Sequence, residues 1–105
     1  MLYILYCEDR SDGAAELRAK LRDAHLGYLE KHTSIIVLGG AMLPEEGDKR
    51  IGSVLIINVP NRQAAENFSG SEPYRQAGLY KSVRIERMRR AQWNPAAAPA
   101  TADGN

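Results

Sequence analysis

A single cysteine, Cys7, stands in the 105-residue sequence, so no internal disulfide can form, and no group of cysteines and histidines has zinc-site spacing. Charge of neither sign is in excess: 14 Lys+Arg against 13 Asp+Glu leave +1. That lacks the basic surplus on which salt-dependent phosphate binding draws, so nucleic acid is not expected as a partner. The longest apolar runs, Ile35 to Leu43 and Val54 to Ile57, fall far short of the ~20 residues that span a bilayer, so no membrane partner is expected. No basic n-region precedes the apolar start Met1 to Cys7, which runs directly into Glu8 and Asp9 and reads as a strand, not a signal peptide. A reducing, cytoplasmic setting fits these absences. Neither a Gly-x-Ser-x-Gly elbow nor a phosphate-loop glycine pattern occurs, which leaves serine-hydrolase and nucleotide readings without support.

What is there is an ordinary globular composition, 44% hydrophobic and 26% charged, in a chain long enough for one domain. A chain of this size buries roughly 60–70% of the surface it exposes when unfolded, so a second subunit would add core. After the first strand, Ser11 or Asp12 is expected to cap a helix from Ala14 to about Lys31, whose apolar face is Ala14, Leu17, Leu21, Ala24 and Tyr28. Ser34 to Met42 and Ile51 to Val59 are rich in β-branched residues and read as strands, paired antiparallel across the solvated connector from Pro44 to Arg50. A second helix opens at Pro60-Asn61 with Ala64, Ala65 and Phe68 on its face, breaks at Gly70 to Pro73 and resumes for a turn at Tyr74. Leu79 to Arg89 alternates as a last, edge strand, and Tyr3, Tyr6 and Tyr28 are expected in core or interface. Residues 1–92 form the domain, and 93–105, rich in alanine and proline, form a flexible tail.

The order strand-helix-strand, strand-helix-strand is ferredoxin-like, an α+β fold with a four-stranded antiparallel sheet. Two helices cover one face of such a sheet, and the other face is left with apolar side chains that a second copy of the chain would cover.

Among residues with chemistry, His25 borders the apolar stripe of the first helix, about 80° from Leu17, where an imidazole can sit half in a cleft and exchange protons. His32, near the helix end, complements the dipole and the unpaired carbonyls. Ser53 follows Gly52, a glycine that permits close backbone approach, and offers a hydroxyl to a ligand oxygen. Glu72, before Pro73, either caps the short helix or orients an imidazole. Gly39, Gly40 and Gly78 read as bulge or turn glycines, and Lys81, Arg84, Arg87, Arg89 and Arg90 as a solvated basic end or a guide for anionic substrates.

Two runs go further. Arg22-Asp23-Ala24-His25-Leu26-Gly27-Tyr28-Leu29 and Glu72-Pro73-Tyr74-Arg75-Gln76-Ala77-Gly78-Leu79, with Gly52-Ser53 between them, resemble the YciI-like (YCII-related) family over residues 1–90. That family is similar in architecture to the dimeric α/β barrels, which include muconolactone isomerases, some dehydrochlorinases and small monooxygenases. The resemblance implies a site made of the helix histidine, the acid before the proline and a serine, here His25, Glu72 and Ser53. Arg18 and Tyr74 are expected beside it on the substrate side. Glu72 is a departure, because the family usually has aspartate there. Convergence of these residues calls for a bent first helix or a cleft shared with a second subunit, since His25 lies in the later half of the helix.

The expected function is a small cofactor-independent enzyme, a lyase, isomerase or dehydrochlorinase acting on an oxygenated small molecule, metal-free and homodimeric through the open sheet face. A non-catalytic dimeric binding or accessory module and a small-barrel monooxygenase stand as alternatives.

Overall fold

The computed structural model describes residues 1–104. Strand β1 (Leu2–Asp9) leads into helix α1 (Ala14–Lys31), then come β2 (Ile36–Met42), β3 (Gly52–Asn58), α2 (Arg62–Gly70), the one-turn α3 (Pro73–Gln76) and β4 (Tyr80–Met88). The strands form one sheet in the order β2-β3-β1-β4, every neighbouring pair antiparallel. This is the expected ferredoxin-like α+β fold, with β4 at an edge.

Alternation along each strand sorts the sheet into two faces. Tyr3, Leu5 and Cys7 lie opposite Ile57, Leu55 and Ser53 on the face that the helices cover. There Tyr3, Leu5 and Ile57 pack with Ala65 and Phe68 of α2. Ile57 and Leu79 are fully buried, and such side chains contribute roughly 1.5–3 kcal/mol each. The alternate positions Ile4 and Tyr6, with Val54, Ile56 and Leu38, form the opposite face, where Leu38 is 67% exposed.

Helix α1 differs from its sequence reading at two points. Neither Ser11 nor Asp12 caps it; the N-cap is Gly13, at φ 69°, a left-handed conformation suited to glycine, and the Gly13 carbonyl accepts the Leu17 N–H at 3.1 Å. Its inward stripe is also different: Ala24 is exposed, while Arg18 and His25 turn toward the sheet with Leu17, Leu21 and Tyr28. Two buried carboxylates beneath the helix, Asp9 and Glu72, give those polar side chains partners. At the other end the His32 Nδ1–H donates to the Tyr28 carbonyl at 2.8 Å, the helix-terminal role expected of it.

Asn61 caps α2 by accepting the Ala64 N–H, and Gly78, at φ 77°, turns the chain from α3 into β4. Gly39 and Gly40 lie inside β2; the ladder's irregularity falls earlier, between Ile36 and Leu38. Beyond β4 the chain makes a 3-10 turn at Pro95–Ala97, and no described residue there is buried. Among the described residues, no helix is long and apolar enough to cross a membrane.

Candidate active site

The short α3 settles how His25 meets its acid. Pro73 supplies the fixed φ of a first helical residue, and Glu72 before it caps the turn: its Oε2 accepts the backbone N–H groups of Tyr74 at 3.1 Å and Arg75 at 3.3 Å. Its other oxygen, Oε1, lies 2.5 Å from His25 Nδ1. Both sequence readings of Glu72, cap and imidazole partner, are therefore present at once. The pair forms within one chain because α3 packs against α1, so neither a bent helix nor a second subunit is needed to bring it together.

Tyr74 holds the ring in place. It is 3% exposed, its ring stacks on that of His25 at 4.0 Å between centroids and 15° between planes, and its hydroxyl donates to the Arg18 carbonyl at 3.2 Å. Tyr74 therefore meets the cavity with its ring and not with a free hydroxyl. A carboxylate on Nδ1 favours the tautomer with its proton there, which leaves the Nε2 lone pair available; among the described residues Nε2 has no hydrogen-bond partner.

Two turns earlier on the same stripe, Arg18 grips Asp9 with two hydrogen bonds, Nε to Oδ2 at 2.7 Å and Nη2 to Oδ1 at 2.9 Å. Nη2 also donates to the Gly52 carbonyl at 3.1 Å and to Ser53 Oγ at 3.0 Å. The close approach expected at Gly52 is real, since a Cβ there would run into the Cys7 carbonyl oxygen. Tyr80 donates a second bond to Ser53 Oγ at 3.4 Å. A serine oxygen with both acceptor positions engaged keeps its own O–H as a donor for something else. Arg18 Nη1 makes no hydrogen bond to any described residue.

His25, Glu72, Ser53, Arg18 and Tyr74 all line one cavity of about 570 Å³ between α1 and the β1-β3-β2 side of the sheet. That volume suits a small ligand. Leu5, Leu26, Leu29, Ile36 and Leu55 make it largely apolar, and Gly39 and Ala41 leave room on the β2 side. Burial, then the field of Glu72, raises the Cys7 thiol on its floor to about 11, which keeps it protonated at neutral pH. Burial likewise pushes Tyr80 upward, so it stays a donor.

Sequence reasoning missed Tyr80, Arg22 and Arg50, which also line the cavity. Tyr80 had a findable signal, because the inward side of an edge strand faces whatever its neighbours enclose; the two arginines had none. The basic run on β4 lies elsewhere: Lys81 pairs with Glu8 and Arg84 with Glu86, both on the surface. Among the described residues, no three His, Cys, Asp or Glu side chains are grouped to hold a metal ion.

A model of the YCII-related domain matches residues 1–89, nearly the whole folded unit. The chain belongs to the YCII-related family. Its YCII relatives include Protein YciI of Escherichia coli O6:H1 and Protein YciI of Shigella flexneri, each 30% identical over 93 residues, 82% of this chain and 94% of the relative. Among solved structures, the YCII fold seen here is similar to 5-chloro-2-hydroxyhydroquinone dehydrochlorinase (TftG) from Burkholderia phenoliruptrix AC1100, in complex with 2,5-dihydroxybenzoquinone. The TM-score is 0.80 at 28% identity, covering 87% of this chain and 96% of that one. An antibiotic biosynthesis monooxygenase shares the fold at TM-score 0.50 and 13% identity, covering 88% and 100%.

Proposed function

We propose that this YCII-family protein is a small acid–base enzyme of the lyase or isomerase type, dehydrochlorination included, that acts on an oxygenated small molecule without a cofactor. One observation carries the reading: an imidazole that lines a cavity of ligand size, fixed at Nδ1 by a buried carboxylate and clamped by an aromatic ring, with Nε2 unengaged among the described residues. His25 Nε2 takes a proton from the carbon beside a carbonyl or from a ring hydroxyl, and the electron pair passes to the substrate oxygen as an enolate or phenolate. The Ser53 O–H and Arg18 Nη1 are the donors available to that oxygen, held by Asp9, the Gly52 carbonyl and Tyr80. The pair then returns to carbon, which takes the proton back at another position; where this leaves chloride on a saturated carbon next to an enolate, a second return of the pair expels it. Likeness to a dehydrochlorinase at 28% identity supports that expulsion.

The open sheet face, with Tyr6 and Leu38 exposed, would pair with a second copy of the chain. Light scattering at micromolar concentration is expected to give twice the chain mass.

The test is turnover of chlorinated hydroxyhydroquinones and of small lactones, followed by chloride release and product analysis. His25→Gln is expected to lower kcat about 10²- to 10⁴-fold with the mass in solution unchanged. Retained turnover in that variant would end the acid–base reading. Tight binding with no product from the unaltered protein would assign it instead to a binding module.

A further inference from the structure

Acid–base chemistry leaves two guanidinium groups at the cavity without a task. Arg22 lies one turn beyond Arg18 on α1, and Arg50 ends the connector between β2 and β3; both line the cavity. With Arg18 and Tyr74 they also line a second hollow between α1 and that connector. Neither makes a hydrogen bond or an ion pair with any described residue.

Two of the carboxylates nearby are already engaged. Asp9 is taken by Arg18, and Glu72 by His25 and two backbone N–H groups. Asp48 and Lys49 line the outer hollow and not the cavity itself. Glu30 also lines the cavity, but it lies eight residues past Arg22, about 12 Å along the helix. The three arginines act on one spot: each pulls down the Tyr74 hydroxyl pKa that burial pushes up. The cavity is thus bipolar, with cations at the Arg18 end and the apolar Leu26, Leu29 and Ile36 toward the Glu30 end. Low-dielectric walls focus such a field into the cleft, and guanidinium forks fit the two oxygens of a carboxylate.

We infer that the cavity takes a monoanionic ligand whose carboxylate-sized head is held by Arg22 and Arg50 while its apolar or aromatic body lies against Leu26, Leu29 and Leu55. This rests on the acid–base reading and names the substrate class for the same site.

The test compares 2,5-dihydroxybenzoate with 2,5-dihydroxybenzamide, which differ by one charge at nearly constant shape, by titration calorimetry. The carboxylate is expected to bind about ten-fold more tightly than the amide, an advantage that added salt reduces. The double variant Arg22→Gln/Arg50→Gln should lose that preference; both side chains are exposed, so the fold is kept. Lys20→Gln, exposed on the same helix and outside the cavity, should retain it. Equal affinity for the two probes, or a preference that survives the double variant, would overturn the inference. So would inorganic phosphate displacing the benzoate at equal concentration, because the apolar body would then count for nothing. His25→Gln separates this from the acid–base reading: turnover in that variant with the charge preference intact would remove the general base and leave the anion site standing.

Discussion

Arg18 and His25 stand two turns apart on one stripe of α1, and each reaches a buried carboxylate from a distant part of the chain, Asp9 at the end of β1 and Glu72 at the start of α3. The likeness ends there. Arg18 uses two nitrogens on Asp9, adds a carbonyl and a serine, and never gives up its proton. His25 makes one bond, leans on one ring, and keeps a titratable nitrogen unengaged. A buried pair on a helix does not by itself mark chemistry; the mark is a partner that fixes one end of a group and leaves the other free toward a cavity.

The comparison breaks most sharply at Asp9. Asp9→Asn leaves a buried guanidinium uncompensated and is expected to cost about 3–5 kcal/mol in urea denaturation. Glu72→Gln should act the other way, lowering kcat about 10²-fold because the imidazole loses its anionic anchor. Its stability loss should be only about 1 kcal/mol, because the amide oxygen still caps α3. Equal stability losses in the two variants would erase the distinction between the pairs. Gly52→Ala, which drives a Cβ against the Cys7 carbonyl and Met42 Cε, should cost about 1–3 kcal/mol and shift Ser53, read as a raised KM with a lower urea midpoint. The smallest effect belongs to Cys7. The folded thiol titrates at about 11 against an ordinary 9.0, so the unfolded chain ionises first and stability falls as pH rises across that interval. Cys7→Ala is expected to remove that part of the decline, and at neutral pH the native thiol should react slowly with iodoacetamide.

The fold was legible because its periods are clean: alternation in the strands, a helical spacing from Ala14 to Lys31, and a proline that restarts a turn at residue 73. The inward face of α1 was read less well, since pattern rules count arginine and histidine as outward. Arg18 and His25 are inward only because Asp9 and Glu72 wait beneath them, and the second of these lies 47 positions away. The resemblance to YCII proteins pointed to residues that line one cavity; what local sequence does not contain is the packing of α3 on α1 that makes them neighbours. Arg22 and Arg50 read as ordinary surface charge, because a cavity's sign emerges only once its walls are assembled.

Glu72 commits one oxygen to ending α3 and the other to aiming the imidazole. The readiness of the site therefore inherits the integrity of a four-residue helix. Fraying at Pro73–Gln76 would release the acid, let the aromatic clamp swing away and silence the proposed chemistry while the sheet and the long helix stayed folded. On the proposed acid–base reading, a working site and the local order of one turn are the same thing.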